Sequence, residues 1–334
     1  MTTTTARSMQ LTQQQADVLK KGCHDLIAGY DTSYGYVPTF GAGIAFCVLF
    51  LLSTFAHVFQ FARARRWTSL TFALGAMSMK NTTLFSTRSF TDRPLAAELI
   101  GWAGRTWSSK CPYNGDAFLM QITTLIIAPT FFTAGLYVIL GTLINRLGRS
   151  SSLLGPKMYA IVFLTADIVA LVIQAIGGAL ASTEADKING DTETGTNIMV
   201  AGIVFQMAAM VVFTGLVLDF MRRVFIKKTY LSYGKAGLEP PNSLPVTYAW
   251  LLVAVCVSLG MIFIRSIYRT VELAQGWEGY LITHEGYFIG LDACLMIIAV
   301  GIFNFLDPVF LLPDNDIREG VFAGEHEMSD LTYE

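Results

Sequence analysis

Charge is scarce in this chain. Asp, Glu, Lys and Arg make up only 14% of its 334 residues, while 53% are hydrophobic. A soluble protein carries about 25% charged residues, so much of this surface is built to face lipid. The few Lys and Arg are too scattered for a nucleic-acid partner. Histidine is as short, with four in all. His24 and His326 fall in the tails, His284 stands alone beside Glu285, and His57 reads as a packed or interfacial residue. Metal hydrolysis needs several ligands converging on one ion, so no metal or cofactor is expected. There is no GxxxxGK[ST] phosphate loop and no nucleophile elbow, which counts against an ATP-driven pump and a lipid hydrolase.

The five cysteines show no metal-ligand spacing. Cys47, Cys256 and Cys294 lie in apolar runs and read as small packing residues. Cys23 and Cys111 fall on the same outer side in the topology below, where a disulfide is permitted but not required. Residues 1–36 hold no apolar core ahead of a small-residue cleavage site, so the first spanning helix is expected to drive insertion. No internal repeat is visible.

What the chain has in quantity is long apolar runs. About 20 apolar residues span the hydrocarbon as a helix, and such runs occupy about 37–61, 117–144, 157–181, 196–220, 245–268 and 286–306. Basic residues gather after the first run (Arg63, Arg65, Arg66), after 117–144 (Arg146, Arg149, Lys157) and after 196–220 (Arg222, Arg223, Lys227, Lys228, Lys235). The intervening loops hold Lys110 on one side and the acidic run Glu184 to Glu193, with only Lys187, on another. Positive charge collects in the cytoplasm, and this alternation requires a further span between Trp67 and Trp107. The expectation is an all-α membrane protein. It is a seven-transmembrane-helix bundle, with the N-terminus outside and the C-terminus cytoplasmic. It divides into an extracytoplasmic segment 1–36, a membrane domain 37–307 and an acidic cytoplasmic tail 308–334, disordered from Asp314 onward.

The second span is damaged. Trp67–Met77 and Leu95–Trp102 are each half a span, and Ser78–Pro94 between them carries four charges and a proline. Removing about 78–96 fuses the halves into one run of spanning length. Back-translation permits a donor-like GTATG across Ser78-Met79, a branch-point-like CTGAC across Thr91-Asp92 and an acceptor AG near Ala96. A retained in-frame intron and a genuine loop insertion both fit. A transcript sequenced across Met77 to Glu98 separates them. Asn81-Thr-Thr is a formal glycosylation sequon in the same stretch.

Each polar residue at membrane depth has a bland and a sharp reading, because an ionised group there is expensive unless paired or wetted. Asp167 lies mid-span, with Gln174 two turns on along the same face and Gly177-Gly178 offering close helix approach. Gln121, Gln206 and Asp292 lie in other spans, and Pro129 frees a backbone carbonyl that something else must satisfy. The sharp reading is a polar pathway lined by Asp167, Gln174, Gln206 and Asp292; the bland one is interhelical hydrogen bonding. Toward the outer end of the sixth span, Arg265, Arg269, Glu272 and Gln275 or Gly276 share a helical face. Glu98 and Arg105 lie seven apart on the second span at similar depth, which allows Glu98 to pair with Arg265 or Arg269, and Glu285 follows beyond. That cluster reads either as an ion-pair lock or as a headgroup site, where carboxylates meet an amine or arginines a phosphate.

Several of these residues carry a resemblance. They include Tyr34-Gly-Tyr36-Val-Pro38, Leu52-Ser-Thr54 with His57, Glu98-Leu-Ile-Gly101-Trp-Ala-Gly104-Arg105, and Gln121 with Ala128-Pro129. The most specific piece runs from Arg265-Ser-Ile-Tyr-Arg269 through Glu272, Gly276 and Tyr280 to Glu285. From about Tyr34 to Pro313 the chain resembles the fungal lipid-translocating exporter family, which includes a sphingoid long-chain-base exporter and an aminocholesterol-resistance protein. It departs at Ser78–Pro94, where the family's second helix is continuous. The resemblance implies a seven-helix, non-enzymatic protein of the plasma membrane, with endomembrane pools. Its partners would be membrane lipids and amphipathic small molecules, and its role resistance to toxic amphiphiles. Some relatives handle haem or porphyrin. On this reading Asp167, Asp292 and Glu272 receive the ammonium of a sphingoid base, and Arg265 and Arg269 organise an outer gate. The alternative is a seven-helix receptor or sensor of lipid asymmetry, signalling through its cytoplasmic side. Truncation after Pro313 would silence a sensor and spare a translocator.

Overall fold

The computed structural model describes residues 13–27, 30, 32–64, 97–148, 151–185, 187, 190–228, 244, 246–277 and 279–311. The doubtful 78–96 stretch, the sequon at Asn81 and the acidic tail from Asp314 lie outside these residues. The helices are α1 (Gln13–Lys21), α2 (Phe40–Ala64), α3 (Ala97–Lys110), α4 (Gly115–Leu147), α5 (Pro156–Ala185), α6 (Glu193–Phe225), α7 (Val246–Ala274), α8 (Glu285–Phe305) and α9 (Pro308–Leu311). Among the described residues there is no strand.

Six helices (α2, α4, α5, α6, α7 and α8) are long and apolar enough to cross a membrane. Each of the six apolar runs read from the sequence became one of them. α4, α5 and α6 extend past both expected ends and α7 past its second, because hydropathy marks the hydrocarbon and not the polar turns that helices carry into the headgroups. α3 is 14 residues long, about 21 Å at 1.5 Å per residue. It falls short of a span by itself and occupies the second half of the expected 67–107 segment.

The helices pack in sequence order around a ring, α2 on α3, α3 on α4 and so on to α8, which returns to α2. α4 and α7 also touch across the middle. In its most apolar stretch α4 is 67% buried, against 28–39% for the other five spanning helices. It is apolar on every side, as a central helix must be. Asn114 caps it, its side chain accepting from the Ala117 N–H, which satisfies one orphan donor of the first turn.

The tightest seam joins α5 to α6. A Cβ on Gly177 would meet the Met199 nitrogen and the Gly195 carbonyl, and one on Gly195 would meet the Ala181 nitrogen. These are backbone atoms, so the approach requires glycine at both places. Gly178, expected to share this role, would only touch Met199 Sδ at 3.8 Å. Cys294 is a second correction. It is exposed on the outer face of the bundle, while Cys47 and Cys256 are half-buried, because its register on α8 turns it away from the neighbouring helices.

The described residues between 22 and 39 lie at one end of the bundle and are strapped to it. Cys23 and Cys111 form a disulfide with Cα atoms 4.5 Å apart. The Tyr113 hydroxyl accepts from the Ile27 N–H at 3.0 Å and donates to the Tyr30 carbonyl at 3.1 Å. Tyr34 is buried; its hydroxyl donates to Gln121 Oε1 at 2.5 Å and lies 3.2 Å from Ser108 Oγ. Burial pushes the Tyr34 phenol up to about 12, so it stays a neutral donor at ordinary pH.

Candidate functional site

Below the strap, polar groups lie in three tiers. In the first, Arg105 on α3 donates from Nη2 to the Tyr36 hydroxyl at 2.6 Å and to Glu285 Oε1 at 2.9 Å. Glu285 also accepts from the Thr39 N–H at 2.9 Å and the Thr39 hydroxyl at 2.6 Å. The strap, α3 and the start of α8 are thus joined through one carboxylate. The Arg105 guanidinium lies 4.4 Å from the centre of the Phe288 ring, and the Arg269 guanidinium lies 5.6 Å from the same ring. Both buried cations thus lie within reach of the π surface of Phe288.

The second tier is buried. On α7, Arg265, Arg269 and Glu272 are buried. The helix continues to Ala274 and ends at Gly276, whose φ of 76° suits a left-handed helix stop. The charged cluster expected at the outer helix end thus lies inside the helix. Arg265 Nε is 2.9 Å from Asp292 Oδ1, and Arg269 Nε is 3.3 Å from the same oxygen. Arg269 Nη1 is 2.6 Å from Glu272 Oε2, and the Tyr268 hydroxyl donates to Glu272 Oε1 at 2.8 Å. Arg265 Nη2 donates to the Leu125 carbonyl of α4 at 2.7 Å. Glu98, at 0% exposure, lies near Arg265, Asp292 and Arg269, and among the described residues the oxygens of neither Glu98 nor Asp292 receive an aligned hydrogen bond.

Asp292 sits in a π-helical turn, Ile289–Cys294, inside α8. Such turns insert one residue and occur often at functional sites. The sequence placed Asp292 in a pathway with Asp167; its contacts are with the arginines.

The third tier lies deeper. Leu125 and Thr133 are eight residues apart on α4, about 12 Å along the axis. There Asp167 of α5 accepts from the Tyr137 hydroxyl at 2.9 Å and the Thr133 hydroxyl at 3.1 Å. Phe163 and Phe213 pack on Tyr137, with ring centres 5.6 and 4.6 Å away. Among the described residues, the hydrogen-bond partners of Asp167 are hydroxyls alone. Gln174 Nε2 donates to Gln206 Oε1 at 2.9 Å, and Gln206 Nε2 donates to Thr130 Oγ1 at 3.2 Å. These amides tie α5, α6 and α4 together, as the bland reading of the glutamines describes.

Sequence reasoning missed Tyr268, Tyr137, Thr133 and Phe288. Tyr268 did have a signal, standing inside the Arg265–Arg269 motif, whereas Tyr137, Thr133 and Phe288 carry neither a charge nor a motif that singles them out. The Leu125 carbonyl did have a signal, since it stands four residues before Pro129. Among the described residues, no group of three or more His, Cys, Asp or Glu is placed to hold a metal ion.

Comparison with known proteins gives this geometry a family. The profile described as RTA1 like protein matches residues 94–315. The chain is 31% identical over 307 residues to the sphingoid long-chain base transporter RSB1 of Saccharomyces cerevisiae, covering 83% of this chain and 73% of that one. It is 30% identical over 289 residues to the yeast protein RTA1, covering 83% and 84%. Yeast protoporphyrin uptake protein 1 is 27% identical over 301 residues, covering 83% and 93%. No solved structure matches. The chain is an integral membrane protein and belongs to the RTA1-like family.

Proposed function

We propose that this protein is a lipid translocator that moves amphipathic lipids such as sphingoid long-chain bases across the plasma membrane and so confers resistance to toxic amphiphiles. In this reading α3 and the segment before it complete a seventh span, with the N-terminus outside and the C-terminus cytoplasmic. The Cys23–Cys111 disulfide supports that orientation, because such bonds persist in oxidising compartments. The names of the yeast relatives support the substrate class.

One observation carries the reading. Asp167 is a buried carboxylate at mid-bundle that, among the described residues, has hydroxyls but no guanidinium bonded to it. An intramembrane acid that lacks a fixed cation is suited to a mobile one, and a sphingoid base brings an ammonium head on a long apolar tail. Asp292 and Glu272 already hold arginines. They are proposed to shape the outer gate with Arg265 and Arg269.

The test is Asp167→Asn, which keeps the hydrogen bonds to Tyr137 and Thr133 and removes the charge. Long-chain-base export should be lost while surface abundance stays unchanged. Normal export by that variant would remove Asp167 from the mechanism.

A further inference from the structure

The second tier has one carboxylate too many. Glu98, Glu272 and Asp292 share it with two guanidiniums, Arg265 and Arg269, and all five are buried. Among the described residues both cations have carboxylates at ion-pair distance, Arg265 with Asp292 and also bonded to the Leu125 carbonyl, Arg269 with Glu272 and Asp292, while Glu98 has no such pair. The next buried guanidinium among the described residues, Arg105, is held by Tyr36 and Glu285.

Glu98 is what remains. The charged groups facing it are Arg265 and Arg269 from α7 and Asp292 from α8, with Trp102 on its own helix. On the α4 side, Gly101 packs against Leu125 and Thr124, and on the α2 side Phe46 packs against Trp102. An ionised Glu98 would leave the tier with an uncompensated negative charge in a dry interior, beside Asp292. Such a charge is strongly destabilising. A neutral acid is not, and a cation arriving from outside would also balance it.

We propose that Glu98 is the exchange site of this translocator: it rests as the neutral acid and gives up its proton when the ammonium group of an amphipathic amine takes its place. This rests on the translocator reading above. The Glu98 O–H bond breaks, the proton leaves to water on the side to which the bundle opens, and the carboxylate holds the ammonium by an ionic hydrogen bond. On release of the amine, the carboxylate takes a proton from the opposite side. One positive charge leaves as one arrives, so the tier stays neutral at each stage. A pH difference across the membrane then drives the amine toward the more acidic side.

The experiment uses the full chain in vesicles with a pH-sensitive dye in the lumen. The probe is N,N,N-trimethylsphinganine, whose fixed charge prevents the amine itself from ferrying protons. Efflux of the probe should acidify the lumen by one proton per molecule. It should accelerate when the outside is made more acidic. Glu98→Gln, a neutral mimic of the acid, should lose both responses, and Glu98→Asp should regain part of them. Probe movement with no change in lumen pH, or equal acidification by Glu98→Gln, overturns the exchange and leaves the translocator reading intact. If the wild-type chain moves neither this probe nor sphinganine, the translocator reading itself fails, and the exchange with it. Infrared spectroscopy reads the resting proton independently of transport. At neutral pH the protonated-carboxyl carbonyl band of the wild type should be larger than that of Glu98→Gln by one carboxyl, any contribution from Asp167 being common to both. Bands of equal size in both chains overturn the assignment.

Discussion

Arg265 Nη2 donates to the carbonyl of Leu125 at 2.7 Å, and that carbonyl lacks its helical partner because the residue four further on is Pro129. Proline has no N–H to return to residue i−4, so α4 would otherwise carry a bare acceptor in the middle of the bundle. A cation from α7 fills the vacancy. The guanidinium is thereby fixed between α4 and the Asp292 carboxylate of α8, and three helices meet at one side chain.

That bond predicts a coupling. Arg265→Ala leaves both Asp292 and the Leu125 carbonyl short of a partner, and should lower stability by about 3–5 kcal/mol, the range for breaking a buried pair. Pro129→Ala gives Leu125 its own helical N–H back and should reduce that loss. Thermal unfolding of both single variants and the double variant in detergent should return an interaction energy of about 0.5–3 kcal/mol. Strict additivity would show that the contact carries no energy.

The α5–α6 seam predicts a sharp contrast between neighbouring glycines. Gly177→Leu and Gly195→Leu drive side-chain atoms into backbone and should abolish the folded, monodisperse peak expected of the wild type on size exclusion in detergent. Gly178→Ala makes only an ordinary contact at 3.8 Å and should elute like the wild type.

The amide bridge predicts a structural role separable from transport. Replacing Gln174 and Gln206 together by Leu removes the bonds between them and to Thr130. Hydrogen bonds between membrane helices contribute about 0.6–2 kcal/mol, so the melting point should fall modestly. Long-chain-base export per folded molecule should be retained. A transport defect without a stability change would return these glutamines to the pathway.

The strap predicts a covalent and an alkaline signature. Peptide mapping without reductant should recover Cys23 joined to Cys111. Changing both to Ser should cost about 2–5 kcal/mol, as for other native disulfides. The Tyr34 phenol sits at about 12 when folded, against an ordinary 10.0. The folded chain thus keeps the proton that a released strap would lose. Strap docking should be unaffected below pH 10 and should weaken as pH rises from about 10 to 12. Protease sensitivity of residues 22–39, followed with phenolate absorbance, checks this, and Tyr34→Phe should lack the step.

Much of this arrangement was legible before any coordinates. The three- and four-residue spacing of Arg265, Arg269 and Glu272 puts them on one helical face, and the Arg269–Glu272 pair follows from it. Pro129 announced a carbonyl in need of a donor. Asp292 was legible as an intramembrane acid but not as a partner of the arginines. The π turn around it adds a residue and rotates the helix beyond by about 100°, which hydropathy does not record. Arg105 was grouped with Glu98 because seven residues separate them, yet it bonds Glu285, 180 positions away.

Run length and the scarcity of charge determined by themselves that this is a bundle of membrane helices, since hydrocarbon tolerates little else. They also marked which few polar residues had to be accounted for. Only the tertiary structure decided which acid meets which base. Helical periodicity constrains neighbours within one helix, whereas the ring order, the π turn and the depth of each span set the meetings between helices. From those meetings alone it emerges that Arg265 is held by two other helices and that Asp292 meets both arginines.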